Sequence, residues 1–249
     1  MIFNDLRYAL NPVTFVSECL GIVPDPWQKD VLLSTSKRVI LNCSRQSGKS
    51  TVAAMIALHR VLFYEGTLVL LISPSLRQSS ELFRKVTDFL KRLPTIPILI
   101  EDNKLSLQLK NGARIISLPG EESNIRGYSN VNLIIEDEAA RVSDDLYRAI
   151  RPMFAVSQGS LIMMSTPFGK RGHFYDEWQD GKGWMKVEIP ANKCLRISKG
   201  FLEMERKSLG DWWYQQEYMC KFVETEDQLF NYDEVMNAID FELKPLSIL

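Results

Sequence analysis

Histidine is nearly absent: His59 and His173 are the only two in 249 residues, and the four cysteines, Cys19, Cys43, Cys194 and Cys220, show no CxxC spacing. That scarcity excludes a ligand cluster of zinc-finger type, and a disulfide framework is not expected in a chain this long. The cysteines read instead as small buried hydrophobes. Missing too is any run of the ~20 apolar residues that a membrane span needs, so no membrane partner is expected. The N-terminus MIFNDLRYAL has an acid early and is followed by Pro12, which is not the basic-then-apolar layout of a secretory signal; a cytosolic location is expected. Neither charge is in excess. Lys+Arg 30 against Asp+Glu 31 leaves a net charge of -1, far from the pI above ~9 of a dedicated nucleic-acid binder. A DNA partner would be gripped locally and transiently. Internal repeats, low-complexity tracts and Gly/Ser linkers are also missing.

What remains is the composition of a globular domain, 45% hydrophobic and 24% charged, in which strands and helices alternate from about Arg38 onward. That alternation predicts an α/β fold with a largely parallel central sheet flanked by helices. RVILNC (38–43) reads as a buried strand and 49–63 as a helix. TLVLLIS (67–73) is a second buried strand, followed by an amphipathic helix with Leu82, Phe83, Val86 and Leu90 on one face. Short strands are expected at 97–101, 105–109 and 114–118, with Asn111-Gly112 as a hairpin turn and the last two strands as an antiparallel addition. VNLIIEDE (131–138) and SLIMMST (160–166) read as central strands, and 198–218 as a helix. The fold is expected to end near Val223, giving one domain over 1–223 and a linker or tail over 224–249.

The strongest local signal is Ser44-Arg45-Gln46-Ser47-Gly48-Lys49-Ser50, between a buried strand and a helix. In such a P-loop, backbone N–H groups from Ser44 to Thr51 converge on phosphates and the helix N-terminus adds partial positive charge. Lys49 would neutralise the β- and γ-phosphates of ATP and the Ser50 hydroxyl would ligate Mg2+. The full pattern places a glycine five residues before Gly48, where this chain has Cys43. Arg45 can contact the γ-phosphate, hold the catalytic acid until nucleotide arrives, or be a plain loop cation. Upstream, Gln28 can read the adenine edge with Trp27 packing beside it, although a tryptophan there also reads as a core residue and Gln28 is the better candidate.

Asp137 and Glu138 follow a buried apolar strand. Asp137 is suited to the magnesium shell and Glu138 to activating the attacking water, which points to an ATP hydrolase. Glu136 is expected to point elsewhere, because adjacent strand residues alternate faces. Arg141 can be structural, forming an ion pair on the surface of the helix that follows. Ser165-Thr166-Pro167 ends the next buried strand, where hydroxyls can sense the γ-phosphate or its attacking water, or where the chain simply makes a strand-ending turn. The basic loop after it, Phe168 to Phe174, suits contact with DNA phosphates or is simply solvated. Arg126, in the loop Asn124-Ile125-Arg126-Gly127, can be presented to a neighbouring subunit's nucleotide.

Together SRQSGKS, LIIEDEAA, MMSTP with its Gly-containing loop, and YQQEYMCKF (214–222) resemble viral large terminases of tailed bacteriophages, from about Pro26 to Phe222. The resemblance implies a RecA-like P-loop ATPase with an additional catalytic Glu, working as a DNA-packaging motor. It implies nucleotide chemistry at Lys49, Ser50, Asp137 and Glu138, a nucleotide-state role for Arg45, coupling through Ser165, Thr166 and Pro167, and a trans-acting Arg126. It further implies double-stranded DNA as partner, a homo-oligomeric ring, usually a pentamer, on the capsid portal, and a small terminase subunit, in the host cell cytoplasm with transient docking on the procapsid. The isolated domain can be monomeric. The C-terminal nuclease of that family is not legible in 231–249, so ATPase function without DNA cleavage is expected. A two-domain helicase is the alternative motor, but only about 80 residues follow Pro167, fewer than the roughly 100–150 of a typical domain. A nucleotide-binding scaffold without turnover is the alternative from another class, against which the intact Lys49, Ser50, Asp137 and Glu138 argue.

Overall fold

A computed structural model describes residues 6–120, 125, 127–194, 196–224 and 238. Its centre is an eight-stranded sheet of β1 (Arg38–Cys43), β2 (Leu68–Ser73), β3 (Leu99–Asp102), β4 (Ser106–Leu109), β5 (Arg114–Pro119), β6 (Leu133–Asp137), β7 (Ser160–Ser165) and β8 (Met185–Ile189). The strand order is β3-β4-β5-β2-β6-β7-β1-β8. Strands β1, β2, β6 and β7 are near-continuous apolar runs because both of their faces are covered. Along β1, Ile40 enters one core and Leu41 the other.

Helices α2 (Pro12–Cys19), α3 (Pro26–Leu33), α4 (Lys49–Phe63) and α5 (Leu76–Arg92) share the first core with the sheet, around Phe15, Leu41, Leu58, Leu71 and Ile135. α5 begins at Ser75, whose side chain accepts from the Gln78 N–H, and buries Leu82, Phe83, Val86 and Leu90, the face expected from the sequence. A short N-terminal helix, α1 (Leu6–Leu10), is tied down where the ring of His59 on α4 donates to the Tyr8 carbonyl at 2.9 Å. The second core lies under α6 (Asp144–Ile150) and α7 (Gly172–Gln179), around Ile40, Leu70, Ile134, Leu146, Met163 and Phe174. α8 (Lys199–Glu217) follows β8 and is interrupted at Gly210, whose φ of 78° is not helical. All four cysteines are free and buried.

The sheet differs from expectation at one edge. β4 is antiparallel to both β3 and β5, but β5 pairs with β2 in parallel. The hairpin expected at Asn111-Gly112 is present, with Gly112 at φ 79° and the Leu109 N–H donating to the Ala113 carbonyl at 2.9 Å. Gly66 N–H to Asn111 carbonyl (3.1 Å) and Arg114 N–H to Thr67 carbonyl (2.7 Å) then bring the starts of β2 and β5 side by side. The antiparallel addition is therefore β3 with β4.

Because β1, β6, β7 and β2 are parallel, their C-terminal ends share one edge, with Asn42 opposite Ser165 and Asp137 opposite Met164. Ligands of open α/β sheets bind at that edge. At the opposite edge the chain turns into β7 at Gly159, where a Cβ would run into the carbonyl oxygens of Val131 and Asn132. Backbone atoms cannot move aside as side chains do. Gly159→Ala is expected to destabilise the fold by about 1–3 kcal/mol, read as a lower urea midpoint at unchanged slope; an unaltered midpoint would show that the β6 and β7 starts are not packed this closely.

Candidate active site

The loop 44–48 leaves β1 and wraps the start of α4. Gln46 at φ 60° and Gly48 at φ 99° are both left-handed, a backbone of the kind that forms anion-binding nests, although the N–H groups of Ser44, Arg45, Ser47 and Thr51 already bond to the carbonyls of Ile189, Glu217, Ser44 and Gly48. At Gly48 a side chain would also collide with the Gln28 amide nitrogen at 2.8 Å and the Arg196 guanidinium at 3.2 Å. The loop is braced internally, with Ser47 Oγ donating to the Ser44 carbonyl at 2.8 Å. It opens on a polar cleft of 690 Å³ reached by Gln28, Lys49, Ser50, Thr51, Lys85 and Glu138. A second cleft of 690 Å³, between Tyr128 and Val156, has no such convergence; its charged groups, Asp145 and Arg148, pair with each other at 3.0 Å.

Across the cleft, Glu138 has a left-handed backbone at φ 53° and ψ 41°. For a non-glycine residue this costs free energy and must be held by its surroundings. The holding groups are cations. Lys49 Nζ lies 3.2 Å from Oε1 and Arg141 Nη1 3.2 Å from Oε2, while Ser165 Oγ approaches Oε2 at 3.5 Å. Arg141 also donates to Thr166 Oγ1 and to Glu217 Oε1, each at 3.2 Å. Glu217 accepts in turn from Arg45 Nε at 2.7 Å, and the Arg45 N–H bonds to the Glu217 carbonyl. Charges thus alternate from Arg45 through Glu217, Arg141 and Glu138 to Lys49. Ser165, Thr166 and Pro167 are all buried at the end of β7 beside this chain.

Asp137, 7% exposed, accepts from the Glu138 N–H at 3.0 Å. Burial, and then the Glu138 carboxylate, push its carboxyl up to about 6, with Lys49 pulling the other way. A divalent cation reverses such a shift. The donors in place, a carboxylate and the Ser50 hydroxyl at the start of α4, are the hard oxygens that magnesium takes, so these residues fit the ion.

The structure brings together Ser44, Arg45, Gln46, Ser47, Gly48, Lys49, Ser50, Thr51, Asp137, Glu138, Ser165, Thr166 and Pro167. Gln28 reaches the loop, its Nε2 donating to the Gly48 carbonyl at 3.2 Å and its Oε1 accepting from the Asp25 N–H in the capping box of α3. One amide proton and one lone pair remain for a base edge. Trp27 is half-buried against the first core. Arg126 lies outside the described residues. Three groups were not singled out in the sequence. Glu217 joins Arg45 and Arg141. Arg196 bridges Asp25 and the Ser47 carbonyl at 2.8 and 2.7 Å. Lys85, on α5, lines the cleft. No short spacing links any of them to the loop or the acids.

The model of the family described as terminase large subunit, T4-like-virus type, N-terminal, matches residues 40–236. A terminase large subunit of Thermus phage G20c is 26% identical over 271 residues, covering 94% of this chain and 56% of that protein. The chain therefore spans about half the length of the curated relatives it matches. The ATPase domain of the Thermus phage P74-26 large terminase superposes with a TM-score of 0.77 at 22% identity, covering 86% of this chain and 100% of that one. The large terminase of a thermophilic bacteriophage, in complex with ADP, gives a TM-score of 0.63 at 14% identity, covering 87% of this chain and 53% of that one. At these identities the two structures establish the fold.

The Asp137 environment has a measurable consequence. Its carboxyl titrates near 6 in the folded chain and near ~3.9 when unfolded, so the native state holds a proton that the unfolded chain has lost. Its contribution to stability falls as pH rises through that interval. Asp137→Asn cannot ionise. Without divalent cations, its melting temperature is expected to exceed that of the wild type at pH 8, with the gain disappearing towards pH 4. An equal gain at every pH would refute the buried, unneutralised carboxyl.

Proposed function

This chain belongs to the terminase large-subunit family, N-terminal region, and we propose that it binds ATP with magnesium in the cleft above the 44–50 loop and hydrolyses it to drive double-stranded DNA into a procapsid. The observation that carries this reading is Glu138. A carboxylate held in a costly backbone conformation between Lys49 and Arg141, directly across a phosphate-cradling loop, is arranged for orienting and deprotonating water.

In this mechanism the loop N–H groups and Lys49 take the β- and γ-phosphates, and Gln28 takes the base side. Ser50 and Asp137 would hold magnesium, whose positive charge would offset that of the phosphates. Entry of a polyanion gives Lys49 a stronger partner than Glu138. Glu138 then keeps Arg141 and Ser165 and is available to the attacking water. Arg45 is within the same charge chain and can exchange Glu217 for the γ-phosphate. Thr166 and Ser165 both bond to members of the Glu138 mount, which supports the coupling role read for Ser165-Thr166-Pro167. Double-stranded DNA, a ring of copies on a capsid portal, usually five, the small terminase subunit and the host cytoplasm complete the proposal. In that ring Arg126 would reach the nucleotide of the next subunit.

Steady-state hydrolysis at rising protein concentration tests the reading. Glu138→Ala is expected to lower kcat by roughly 10²- to 10⁴-fold while nucleotide binding persists; undiminished turnover would sink the assignment. Wild-type activity per molecule that climbs with concentration, and does not climb in Arg126→Ala, supports an arginine supplied in trans. Activity independent of concentration counts against it.

A further inference from the structure

Glu136 precedes the two acids of the cleft but faces the other side of β6. It is fully buried, flanked in register by Ile72 of β2 and Met163 of β7. An ionised carboxylate in such a layer is strongly unfavourable unless it is paired. Its partner is His173, 5% exposed. His173 Nε2 lies 3.0 Å from Glu136 Oε1 and Nδ1 lies 3.2 Å from Asp144 Oδ1. The His173 backbone N–H donates to the same Asp144 oxygen at 2.7 Å. Both ring nitrogens face carboxyl oxygens, an arrangement that an imidazolium, donating from both nitrogens, satisfies. Burial pulls the imidazole down, but Glu136 and then Asp144 outweigh it and leave its pKa raised. Tyr147 stacks on the ring with centroids 4.5 Å apart and 10° between planes, and its own hydroxyl is occupied by Glu177 at 2.7 Å.

The position of this pair in the chain gives it reach. His173 is the second residue of α7, directly after the loop 168–171 that leaves β7 behind Ser165-Thr166-Pro167. Gly172, at φ 78°, folds this turn over Asp144. The other end of the loop touches the cleft. The guanidinium of Arg141, which holds Glu138, lies 4.7 Å from the Phe168 ring, and that of Arg171 lies 5.2 Å from it. Glu138 is therefore joined to one loop by two routes: through Arg141 and Phe168 on the cleft side, and through the β6 backbone, Glu136 and His173 beneath the sheet.

We propose that His173 is a positioning residue for the hydrolysis at this site: bridging Glu136 and Asp144, it fixes the strand end that carries Asp137 and Glu138 to the basic loop 168–171. The proposal rests on the ATPase reading above and adds to it a part that touches neither nucleotide nor metal. Displacement of the loop is then felt at the catalytic acid, whose left-handed backbone is set two residues beyond Glu136.

The test compares the wild type, His173→Gln and the double variant Glu136→Leu with His173→Leu, all in the full chain. The double variant removes both charges together, so it is expected to melt at or above the wild-type temperature, as apolar replacement of buried ion pairs often does. Its kcat per folded molecule is nevertheless expected to fall about tenfold, as is that of His173→Gln, because the acid is misplaced rather than lost. The dissociation constant of a fluorescent ATP analogue is expected to stay within about twofold, since binding is not what the clip supports. Trypsin cleavage after Lys170 and Arg171 is expected to quicken in both variants. A stable double variant with wild-type kcat would reduce the pair to charge compensation and overturn the proposal. A wild type without turnover at any concentration would instead sink the hydrolytic reading. The clip would then be judged on trypsin alone: faster cleavage in the double variant at matched stability supports it, and equal rates refute it.

Discussion

The Glu138 carboxylate is gripped by a cation on each side, and the rest of the site is arranged around that constraint. Lys49 comes from the helix after β1, Arg141 from the turn after β6, Thr166 from the end of β7 and Glu217 from the end of α8. Exposed ion pairs are each worth about 0–1 kcal/mol. Here the side chains of Lys49 and Glu217 are 10% and 7% exposed, so water screens them poorly, and most members of the chain serve two partners. Losing one leaves its neighbours partly uncompensated in a low-dielectric cleft, which costs more than the pair itself contributed. The arrangement closes only because β1, β6 and β7 run parallel and end on one edge of the sheet.

The same edge gathers the energetic costs of the fold. Gln46 and Glu138 adopt left-handed backbones, Gly48 is required by both φ and space, and the pKa of the Asp137 carboxyl is raised by burial. The proposed ligands ease two of these, at the loop and at Asp137. A triphosphate offers acceptors to the loop N–H groups and to Lys49, and magnesium supplies the positive charge that Asp137 lacks.

Much of this was legible in the sequence for local reasons. Buried parallel strands are continuous apolar runs, so β1, β2, β6 and β7 announce themselves, and chemistry follows from what is written at their C-terminal ends: SRQSGKS, Asp137-Glu138 and Ser165-Thr166. The pairing of β5 was not legible, since the alternating burial of a short strand is the same whether its neighbour runs parallel or antiparallel. Glu217 was invisible as a site residue for a different reason. It lies 172 residues from Arg45 and 76 from Arg141, and an acid near the end of a helix has no signature until the fold brings two guanidinium groups to it. Alternation along β6 is enough to point Glu136 away from the cleft, but its partner, His173, cannot be chosen without knowing that α7 covers that face.

The end of α8 ties these observations together. Beyond Glu217 the chain does not leave the sheet at once: the Tyr218 carbonyl accepts from the Ala191 N–H at 2.7 Å, the Cys220 carbonyl from Asn42 Nδ2 at 2.9 Å, and Phe222 packs near Phe174, Tyr175 and Trp178. Lys170 Nζ then lies 3.1 Å from Glu224 Oε1, and the Glu224 carbonyl accepts from Trp212 Nε1 at 2.6 Å. The segment 217–224 is thus fastened at one end to Arg45 and Arg141 and at the other to the basic loop that Phe168 and His173 anchor. An anion that drew Arg45 from Glu217 would loosen one end of this segment while the other stayed attached to that loop. Whatever the 168–171 loop contacts is therefore mechanically connected to the phosphate cradle along two sides of the sheet, and the connection passes through ion pairs, which a change of charge in the cleft can break and remake.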